Sequence, residues 1–488
     1  MIFDNEYARV RLNKRTNLLT SNVNPYPVRF EKTHDASSVK GEYPANEGSA
    51  VRVAGRVVLL RLMGKASFAT IRDGSGDLQI YLKLDNIGQE SYERMKTLLD
   101  LGDVVGVSGK VFKTKTGEIS VSAESWDFLA KAILPPPEKW HGLTDVETRY
   151  RKRSVDLFVN PDVRKTFEMR SRLIASIRQF FDGEGFVEVE TPSMSARAGG
   201  AAARPFQTHH NALDIDLFLR VAPELHLKRL IVGGFEKIFE IGKNFRNEGV
   251  STRHNPEFTM LESYEAYADA VRVMDFTERL LRHACRAVHG KEQISSGGRE
   301  IDLGRPFRRL AYLDALKQEL GQDVSPSTPA DSLHALVARS GLGDKVKALE
   351  KEEGRVSPSG VLDLLFEHHV EPKLQDPTFI TRHPRALSPL AKACADDPAL
   401  ADRFELFVGG REIANAYSEQ NDPLEQLERF REQAAGDESK IDWDFVEALA
   451  YGMPPAGGLG VGIDRLFMLI CDLPSIRDAI LFPLLRPE

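Results

Sequence analysis

The sequence is poor in cysteine, and the three cysteines that it has are far apart. Cys285, Cys394 and Cys471 form no CxxC pair in a chain of 488 residues. This spacing argues against a disulfide framework and against a cysteine zinc site, and it favours a reducing cytoplasm. Residues 1–17 are charged from Asp4 onward and contain no apolar segment, so we expect no secretory signal.

Long apolar runs and an excess of basic residues are also absent. No uninterrupted apolar run approaches the roughly 18 residues that a membrane-spanning helix needs, so we expect no membrane segment. The formal net charge of −7 excludes an overall basic coat for nucleic acid, but it is compatible with a local basic groove. The composition, with 42% hydrophobic and 28% charged residues, is that of a globular protein of two or three domains.

The N-terminal part of the chain has the pattern of a small β-barrel. A charged helix is predicted at 6–19, and short β-branched or aromatic runs at 51–58, 67–71, 78–82, 104–111 and 118–121 predict five strands. A helical stretch at 90–99 follows the third strand. This order is typical of an OB-type barrel, which commonly binds single-stranded nucleic acid. A barrel that binds only protein, or nothing, is the alternative.

The clearest domain boundary is the stiff segment LPPP at 134–137. We therefore divide the chain into an N-terminal extension (1–45), a barrel domain (46–132), a linker (133–160) and a large C-terminal domain (161–488). The last begins with a predicted long helix at 161–181. It contains a helical insertion near 266–375, where amphipathic stretches are separated by Gly, Pro and Ser.

A predicted antiparallel hairpin organises the C-terminal domain. Strand-like runs at 238–241 and 258–261 flank a polar loop that contains Arg246. Side-chain alternation places Phe258, Met260, Glu262 and Tyr264 on one face of the second strand. Arg246 could hold a phosphate and Phe258 could stack on a base, which suits a nucleoside triphosphate. From these residues alone, a solvated hairpin with a buried Phe258 is an equal alternative.

Two further segments carry candidate chemistry. A glycine-rich run at 457–462 precedes Arg465 and an apolar helix, but the usual phosphate-binding glycine motifs are missing, so close packing is an alternative. Glu412, Asn415 and Glu419 are spaced so that they would share one face of a helix. The glycines before them make an irregular strand equally possible.

Taken together, three segments resemble the signature motifs of class II aminoacyl-tRNA synthetases: GFVEVETP (185–192), FRNEG with RHNPEFTMLE (245–262), and GLGVGIDR (458–465). The resemblance covers nearly the whole chain and is closest to lysyl-tRNA synthetases. It extends through NPYP (24–27), MGKASF (63–68), FKTKTGE (112–118), GGAAARPF (199–206), APELHLKRL (222–230) and GGREIANAYSEQNDP (409–423). The chain departs from the family pattern at Arg382 and Gln420, neither of which is a candidate site residue.

The resemblance implies an α+β fold in which the OB-type barrel is followed by an antiparallel sheet flanked by helices. Pro192 then marks the strand that builds a homodimer interface. The implied substrates are L-lysine, ATP and tRNA(Lys), with Mg²⁺ as the cofactor. The implied reaction forms lysyl-adenylate and then transfers lysine to the 3′ end of the tRNA.

The resemblance also implies an ATP site. Arg246 would hold the α-phosphate, Phe258 would stack on adenine, and Arg465 would clamp the γ-phosphate, which makes the two arginines the catalytic residues. Arg253 and His254 would lie near the outer phosphates, and Glu248 belongs to the same set. Glu405 and Glu412 match the Mg²⁺-binding carboxylates, a ligand type that suits this hard ion. For either glutamate alone, a surface charge is the alternative.

The implied lysine site adds a second group of residues. Gly200 and Glu224 would receive the α-amino group, while Arg246 attracts the α-carboxylate. A buried ammonium needs anions and acceptors around it. Those that would surround the lysine side chain are Glu262, Tyr264, Asn415 and Glu419.

In the barrel, the resemblance implies a site that reads the anticodon. Arg61 and Phe68 would stack on bases, and Gln79 and Glu118 would hydrogen-bond to base edges, as is general for single-stranded RNA. Two rival functions are a ligase that attaches lysine to a protein and a non-catalytic RNA-binding paralogue. The first usually lacks the barrel, and the second is expected to lose a residue of the ATP site.

Overall fold

The computed structural model describes residues 3–137, 143–197, 203–353, 356–434 and 436–487. By its internal contacts the chain divides into two compact units, Met1–Val146 and Glu147–Glu488. Each unit has its own hydrophobic core. Within the described ranges, no helix is both long and apolar enough to cross a bilayer.

The first unit contains a closed five-stranded barrel in the order β1-β2-β3-β5-β4, which confirms the predicted OB-type fold. Its inward side chains alternate with outward ones; in β2, for example, Ala69 and Ile71 are buried and Phe68 is only partly buried. The elements of this unit are α1 (Glu6–Thr20), α2 (Ala36–Gly41), β1 (Ala50–Arg61), β2 (Ala66–Arg72), β3 (Asp77–Lys83), α3 (Leu84–Ile87), α4 (Gln89–Leu98), β4 (Val104–Lys113) and β5 (Ile119–Ala130).

The second unit is built on a large, mainly antiparallel sheet. The strands of the second unit are β6 (Val187–Glu188), β7 (Met194–Ser195), β8 (Gln207–His210), β9 (Ile215–Leu219), β10 (Lys237–Phe245), β11 (Glu257–Ala266), β12 (Gln293–Ser296), β13 (Arg299–Asp302), β14 (Arg308–Ala311), β15 (Thr378–Pro384), β16 (Leu400–Val408), β17 (Arg411–Ser418) and β18 (Ala456–Gly462). Over the described residues, eight of these strands form one sheet in the order β14-β15-β16-β17-β18-β11-β10-β6. Only the two outermost pairs are parallel.

Helices flank this sheet. They are α5 (Val146–Arg151), α6 (Arg153–Val159), α7 (Pro161–Gly183), α8 (Glu224–Val232), α9 (Ala270–His289), α10 (Tyr312–Leu320), α11 (Ala330–Arg339), α12 (Gly343–Glu353), α13 (Pro358–His369), α14 (Pro423–Ala434), α15 (Trp443–Ala450), α16 (Ile463–Ile470) and α17 (Ile476–Ala479), with 3₁₀ turns at Glu371–Lys373, Arg385–Leu387 and Glu438–Lys440. The predicted long helix is α7, which starts with a proline at its first turn. Phe181 of α7 and Phe276 of α9 pack into the main core against the sheet.

The segment 266–375 is less uniform than the helical insertion that its amphipathic pattern predicts. Helix α9 belongs to the main core, and β14 joins the edge of the main sheet beside β15. The helices with a separate core begin only at Tyr312, where α10, α11 and α13 bury Leu316, Leu336 and Leu362. The four-residue strands β12, β13 and β14 were missed because so few residues give no clear two-residue period.

The strand predicted at 185–192 is also shorter than expected. Only Val187 and Glu188 pair with β10. At Thr191 both the backbone and the side chain are bound by other side chains instead: the Arg220 guanidinium donates to the Thr191 carbonyl, and the Thr191 hydroxyl donates to Glu240. Those contacts replace the ladder that a longer strand would make.

The structure decides between helix and strand for residues 411–418, which form β17. Opposite this strand, Leu406 faces Ala414 and Phe407 faces Glu412, so Ile413 is an extra residue in a β-bulge. A bulge shifts the side-chain alternation by one position. This shift explains how Glu412 and Asn415, three residues apart, can line one cavity.

Candidate functional site

The predicted hairpin is present as β10 and β11. The two strands are antiparallel, with Asn244 opposite Phe258 and Glu240 opposite Glu262. On its other side β11 pairs with the glycine-rich β18, where Glu262 faces Gly460. The hairpin therefore lies in the middle of the main sheet, next to a strand with few side chains. Two adjoining cavities form there, and Arg246 lines both of them.

The first cavity, which we call the carboxylate cavity, has a volume of ≈ 510 Å³. It brings together all the described residues that the sequence predicts for lysine recognition. Gly200 lies outside the described residues. The predicted residues that line the cavity are Glu224, Arg246, Glu262, Tyr264, Asn415 and Glu419.

Three carboxylates in this cavity are almost completely buried. The exposed fractions are 6% for Glu224, 6% for Glu262 and 1% for Glu419. Burial, followed by the nearby charge of Glu224, raises the pKa of Glu262 to about 8. Burial also raises the pKa of Glu419, although the ammonium of Lys228 acts in the opposite direction. A cavity with three buried carboxylates favours a bound cation, which compensates their charge when they ionise.

Two neighbours of Glu224 were not predicted as site residues. The Nζ of Lys228 donates to Oε1 of Glu224 over 2.7 Å and also contacts Oε2 of Glu419. The hydroxyl of Tyr417 lies 2.9 Å from each carboxylate oxygen of Glu224. Lys228 is four residues after Glu224 on α8, and this spacing was the available signal for an ion pair.

The second cavity, which we call the arginine cavity, has a volume of ≈ 230 Å³. The Cζ of Arg246 lies 5.1 Å from the ring centroid of Phe258. Among the described residues, no hydrogen-bond partner reaches the buried Nε of Arg246. An unpartnered buried guanidinium nitrogen favours an anionic ligand. The predicted nucleotide residues that line this cavity are Arg246, Glu248, Arg253, His254, Phe258 and Arg465.

The other cations of the arginine cavity have polar partners. Arg465 donates to Oε2 of Glu412 over 2.8 Å, and its second terminal nitrogen lies 3.2 Å from Nε2 of His254. Arg253 pairs with Glu371 over 3.2 Å. Partial desolvation by neighbouring groups, followed by the charge of Arg465, lowers the pKa of the surface residue His254, so its neutral ring can accept from Arg465. These contacts hold the arginines in place, and an incoming polyanion can exchange with them.

Glu405 and Glu412 line a third cavity of ≈ 450 Å³, which we call the Glu405 cavity. Burial opposes ionisation of Glu405, but Arg403 and His383 outweigh it and lower the pKa of this carboxyl. In the described ranges, no cluster of three His, Cys, Asp or Glu side chains is arranged to hold a metal ion. Two carboxylates that share a divalent metal with substrate phosphates fit this donor set, since such metals are often bound in this way.

Arg403 is a further residue that the sequence did not reveal. Its Nε donates to Oδ1 of Asn415 over 3.1 Å, and a terminal nitrogen contacts Glu405. It also donates to the hydroxyl of Ser388 over 2.8 Å. Arg403 therefore connects the carboxylate cavity with the Glu405 cavity. Glu405 is two residues away on the same strand, but no local pattern indicates the contacts with Asn415 and Ser388, which come from other segments of the chain.

The predicted RNA-reading residues lie on neighbouring strands of the barrel. Arg61 of β1 is paired with Phe68 of β2, whose ring centroid lies 5.0 Å from that of Tyr81 on β3. The Tyr81 ring in turn lies 5.8 Å from Phe112. This aromatic row extends the predicted platform by two residues that the sequence analysis did not select. Tyr81 could have been found from alternation along β3, since the flanking Ile80 and Leu82 are buried.

The two polar residues predicted for base recognition have protein partners. The Ser120 hydroxyl donates to Oε1 of Gln79 over 2.8 Å, which leaves the amide NH₂ of Gln79 for another partner. Glu118 is exposed and pairs with Lys40 over 3.0 Å. Gln79 lies on β3, and Glu118 immediately precedes β5, which pairs with β3.

The two departures from the family pattern lie away from these cavities. Arg382 forms a two-point ion pair with Asp396, at 3.0 and 2.8 Å. Gln420 is buried, and its Oε1 accepts from the backbone of Asp422 over 3.0 Å. Neither side chain lines the carboxylate cavity or the arginine cavity.

Comparison with known proteins agrees with the fold. Residues 145–486 match the family described as class II tRNA synthetases (D, K and N), and residues 51–129 match the OB-fold nucleic acid binding domain. A lysine–tRNA ligase of Pelotomaculum thermopropionicum is 52% identical over 99% of this chain and 96% of its own length. Those of Carboxydothermus hydrogenoformans and Moorella thermoacetica are 52% and 50% identical, over 99% of both chains in each case. This chain therefore belongs to the class II tRNA synthetases and, within them, to the lysine–tRNA ligase family.

Proposed function

We propose that this chain activates L-lysine with ATP and then transfers lysine to the 3′ end of tRNA(Lys), releasing AMP, for protein synthesis. The observation that carries this proposal is the pair of adjoining cavities with opposite charge. Three buried carboxylates in one suit an amino acid with two ammonium groups, and the arginines of the other suit a triphosphate.

In the first step the α-carboxylate of lysine attacks the α-phosphorus of ATP. A bond forms between carboxylate oxygen and phosphorus, and the bond from that phosphorus to the pyrophosphate oxygen breaks. The attacking group is already ionised at neutral pH, so no general base is needed. Arg246, which lines both cavities, holds the carboxylate and the α-phosphate against each other. Catalysis is then positioning and charge neutralisation.

Arg465 clamps the γ-phosphate, and Arg253 and His254 bind the outer phosphates. Members of this family use ATP with a divalent metal; we take it to be Mg²⁺, which Glu405 and Glu412 would hold. When bound, the metal neutralises charge on the phosphates. Glu248 completes the nucleotide site, and Phe258 stacks on adenine.

The two ends of the lysine substrate are recognised by different residues. Glu224 and Gly200 receive the α-amino group. At the other end, Glu262 and Glu419 neutralise the side-chain ammonium, while Tyr264 and Asn415 complete its surroundings. The barrel recognises the anticodon: Arg61 and Phe68 stack on bases, and Gln79 and Glu118 bind base edges.

We further propose that the protein acts as a homodimer in the cytoplasm. The apolar side chains of Val187, Met194 and Phe235 are exposed around the segment that leads to Pro192, which supports burial by a second copy. Cys285, Cys394 and Cys471 are free, as suits a reducing compartment. Light scattering after gel filtration should give about twice the mass of the chain.

The direct test of the activity is lysine-dependent exchange between ATP and pyrophosphate, followed by charging of purified tRNA. We expect exchange with lysine, little with aspartate or asparagine, and charging of tRNA(Lys). Exchange that prefers aspartate would overturn the substrate assignment. Exchange with lysine but no charging of tRNA would favour a ligase that transfers lysine to another acceptor.

A further inference from the structure

Lys228 is a cation of the protein itself that lies between two carboxylates of the carboxylate cavity. It is fully buried on α8, with its Nζ 2.7 Å from Glu224 and in contact with Glu419. The same Nζ lies 5.5 Å from the ring centroid of Tyr417. Burial alone would lower the pKa of Lys228, but the two carboxylates outweigh it and raise this pKa. Lys228 is therefore charged.

The charges in the cavity balance only when Lys228 is counted. With lysine bound and all three carboxylates ionised, Glu224, Glu262 and Glu419 contribute three negative charges, and Lys228 reduces them to two. Free lysine brings two ammonium groups, and its single carboxylate is matched by Arg246. Buried charges are stable only when they are compensated. With Lys228 in place, the number of uncompensated carboxylates equals the number of ammonium groups in the substrate.

The other charged groups around the cavity do not change this count. Arg220 is paired with Glu240, and Arg403 with Glu405. At the rim, Asp442 pairs with Arg229, and the exposed Lys440 lies near Asp437. Burial raises the pKa values of Tyr264 and Tyr417 well above their ordinary range, so both phenols are neutral.

The position of Lys228 also leaves one oxygen of Glu419 available. Lys228 contacts Oε2, while Oε1 is buried and, among the described residues, receives no hydrogen bond. Oε1 lies beside Gly458, where a Cβ would overlap it. An unsatisfied buried carboxylate oxygen requires a donor, and the substrate can supply one.

We propose that Lys228 is a positioning residue that sets the charge of the accepted amino acid. It pairs with Glu224 and Glu419 and holds both carboxylates in place, so that the cavity binds an amino acid with two ammonium groups and not one with a single ammonium group. This inference rests on the proposed lysine site.

The proposal has a consequence for pH dependence. The Lys228 ammonium lowers the pKa of Glu419, against the larger effect of burial. Without that ammonium Glu419 needs a higher pH to ionise, so, as the pH is lowered, lysine binding should fail at a higher pH than in the wild type. The groups that face this cluster are Glu224, Glu262, Tyr264, Arg246, Arg403, Tyr417 and Glu419.

The test compares Lys228→Met, which keeps the volume and removes the charge, with Lys237→Met as a matched control. Lys237 is a half-buried lysine that pairs with Glu265 and does not line the cavity. We expect the lysine KM of Lys228→Met in pyrophosphate exchange to rise about tenfold or more at pH 7. The acidic limb of its pH profile should shift upward by about one unit or more. The KM for ATP, and both properties of Lys237→Met, should stay near wild type.

A second measurement separates charge from volume and from folding. Lys228→Ala leaves space for propylammonium, and 1-propanol is a control of similar size without charge. Propylammonium should restore lysine activation and 1-propanol should not. Equal rescue by both, or a Lys228→Met variant with the wild-type KM and pH profile, would overturn the proposal. If Lys228→Ala folds poorly by itself, it can be purified in the presence of propylammonium, and its folding can be checked by thermal unfolding.

A parallel assay of Glu262→Gln separates failure of this inference from failure of the lysine site. If Glu262→Gln loses lysine activation while Lys228→Met behaves as wild type, only the role of Lys228 is wrong. If Glu262→Gln itself activates lysine normally, the assignment of the cavity to lysine is wrong.

Discussion

The carboxylate cavity and the arginine cavity share Arg246 but are constructed in opposite ways. In the first, the charged groups are buried and fixed, with exposed fractions of 1% for Glu419 and 6% for Glu262. In the second, Arg253 and His254 are exposed, and the arginines are held by Glu371 and Glu412. Burial makes an electrostatic interaction strong and its absence costly, whereas exposed pairs exchange readily.

This difference fits the two ligands that we propose. The site must distinguish lysine from other amino acids by its side-chain ammonium group. Dehydrated carboxylates make binding of an amino acid without that ammonium group costly. A nucleoside triphosphate carries several charges and arrives with a divalent metal, so cations held in exposed pairs suffice. Selectivity should therefore reside in the carboxylate cavity, and charge neutralisation during the reaction in the arginine cavity.

The largest expected effect comes from Glu262→Gln, which removes one buried carboxylate and keeps its volume. Lysine activation should weaken by about 2–5 kcal/mol, because the substrate ammonium loses its compensation. ATP binding should survive, since Phe258 and the arginines are unchanged. Lysine-dependent pyrophosphate exchange, together with ATP binding measured without lysine, checks both statements.

Substrate analogues give the matching control on the unchanged protein. Norleucine lacks the amine and should be strongly rejected, because it leaves buried carboxylates without a partner. Ornithine is one methylene shorter and should lose only about 1–3 kcal/mol. If norleucine is accepted as readily as lysine, the contrast between the two cavities is wrong.

Arg246→Ala should have the next largest effect, since Arg246 serves both cavities. Loss of its phosphate and carboxylate contacts should reduce adenylate formation by about 2–4 kcal/mol while the fold stays intact. Exchange kinetics at varied lysine and ATP, with circular dichroism as the folding check, test this expectation. A normal exchange rate would remove Arg246 from the mechanism.

Phe68→Ala should have a smaller effect, and only on the step that involves RNA. Loss of one base-stacking surface should weaken charging by about 1–3 kcal/mol, while exchange measured without tRNA should be unchanged. The aromatic row with Tyr81 and Phe112 predicts partial losses for those two positions as well. Equal damage to both assays would mean that the barrel supports the catalytic unit instead of reading RNA.

The smallest expected effect is the pH dependence of stability that Glu262 contributes. Its pKa is raised to about 8 in the folded chain, so the protonated form is the stable one there. The stability that this group contributes is fully present below its unfolded pKa, near 4.5, and is lost as pH rises through 8. Between pH 6 and 8 the melting temperature without ligands should fall more steeply for wild type than for Glu262→Gln. Identical slopes would contradict a raised pKa.

The sequence was informative wherever local pattern and motif coincide. The hairpin of β10 and β11, the barrel strands and helix α7 follow from side-chain periodicity. For Glu412 to Glu419, spacing alone could not separate helix from strand, because a bulge at Ile413 disturbs the alternation. That bulge depends on pairing with β16, which is a long-range contact.

The sequence analysis missed several site residues for the same reason, which is that their contacts are long-range. Lys228 contacts Glu419, and Arg403 contacts Asn415 and Ser388, all of which come from other segments of the chain. Tyr81 and Phe112 become a platform only when the barrel closes and places them beside Phe68. Their residue types were visible in the sequence, but their neighbours were not.

The glycines of β18 have a consequence for how this protein can evolve. Gly458 and Gly460 line the carboxylate cavity, and glycine inside a strand is less stable than alanine. At Gly460 an added methyl group would press only on the flexible end of Met260, whereas at Gly458 it would overlap Glu419. A selection for heat resistance alone would therefore accept alanine at Gly460 and gradually fill the space reserved for the substrate. The centre of the sheet is a place where robustness and activity select for different sequences.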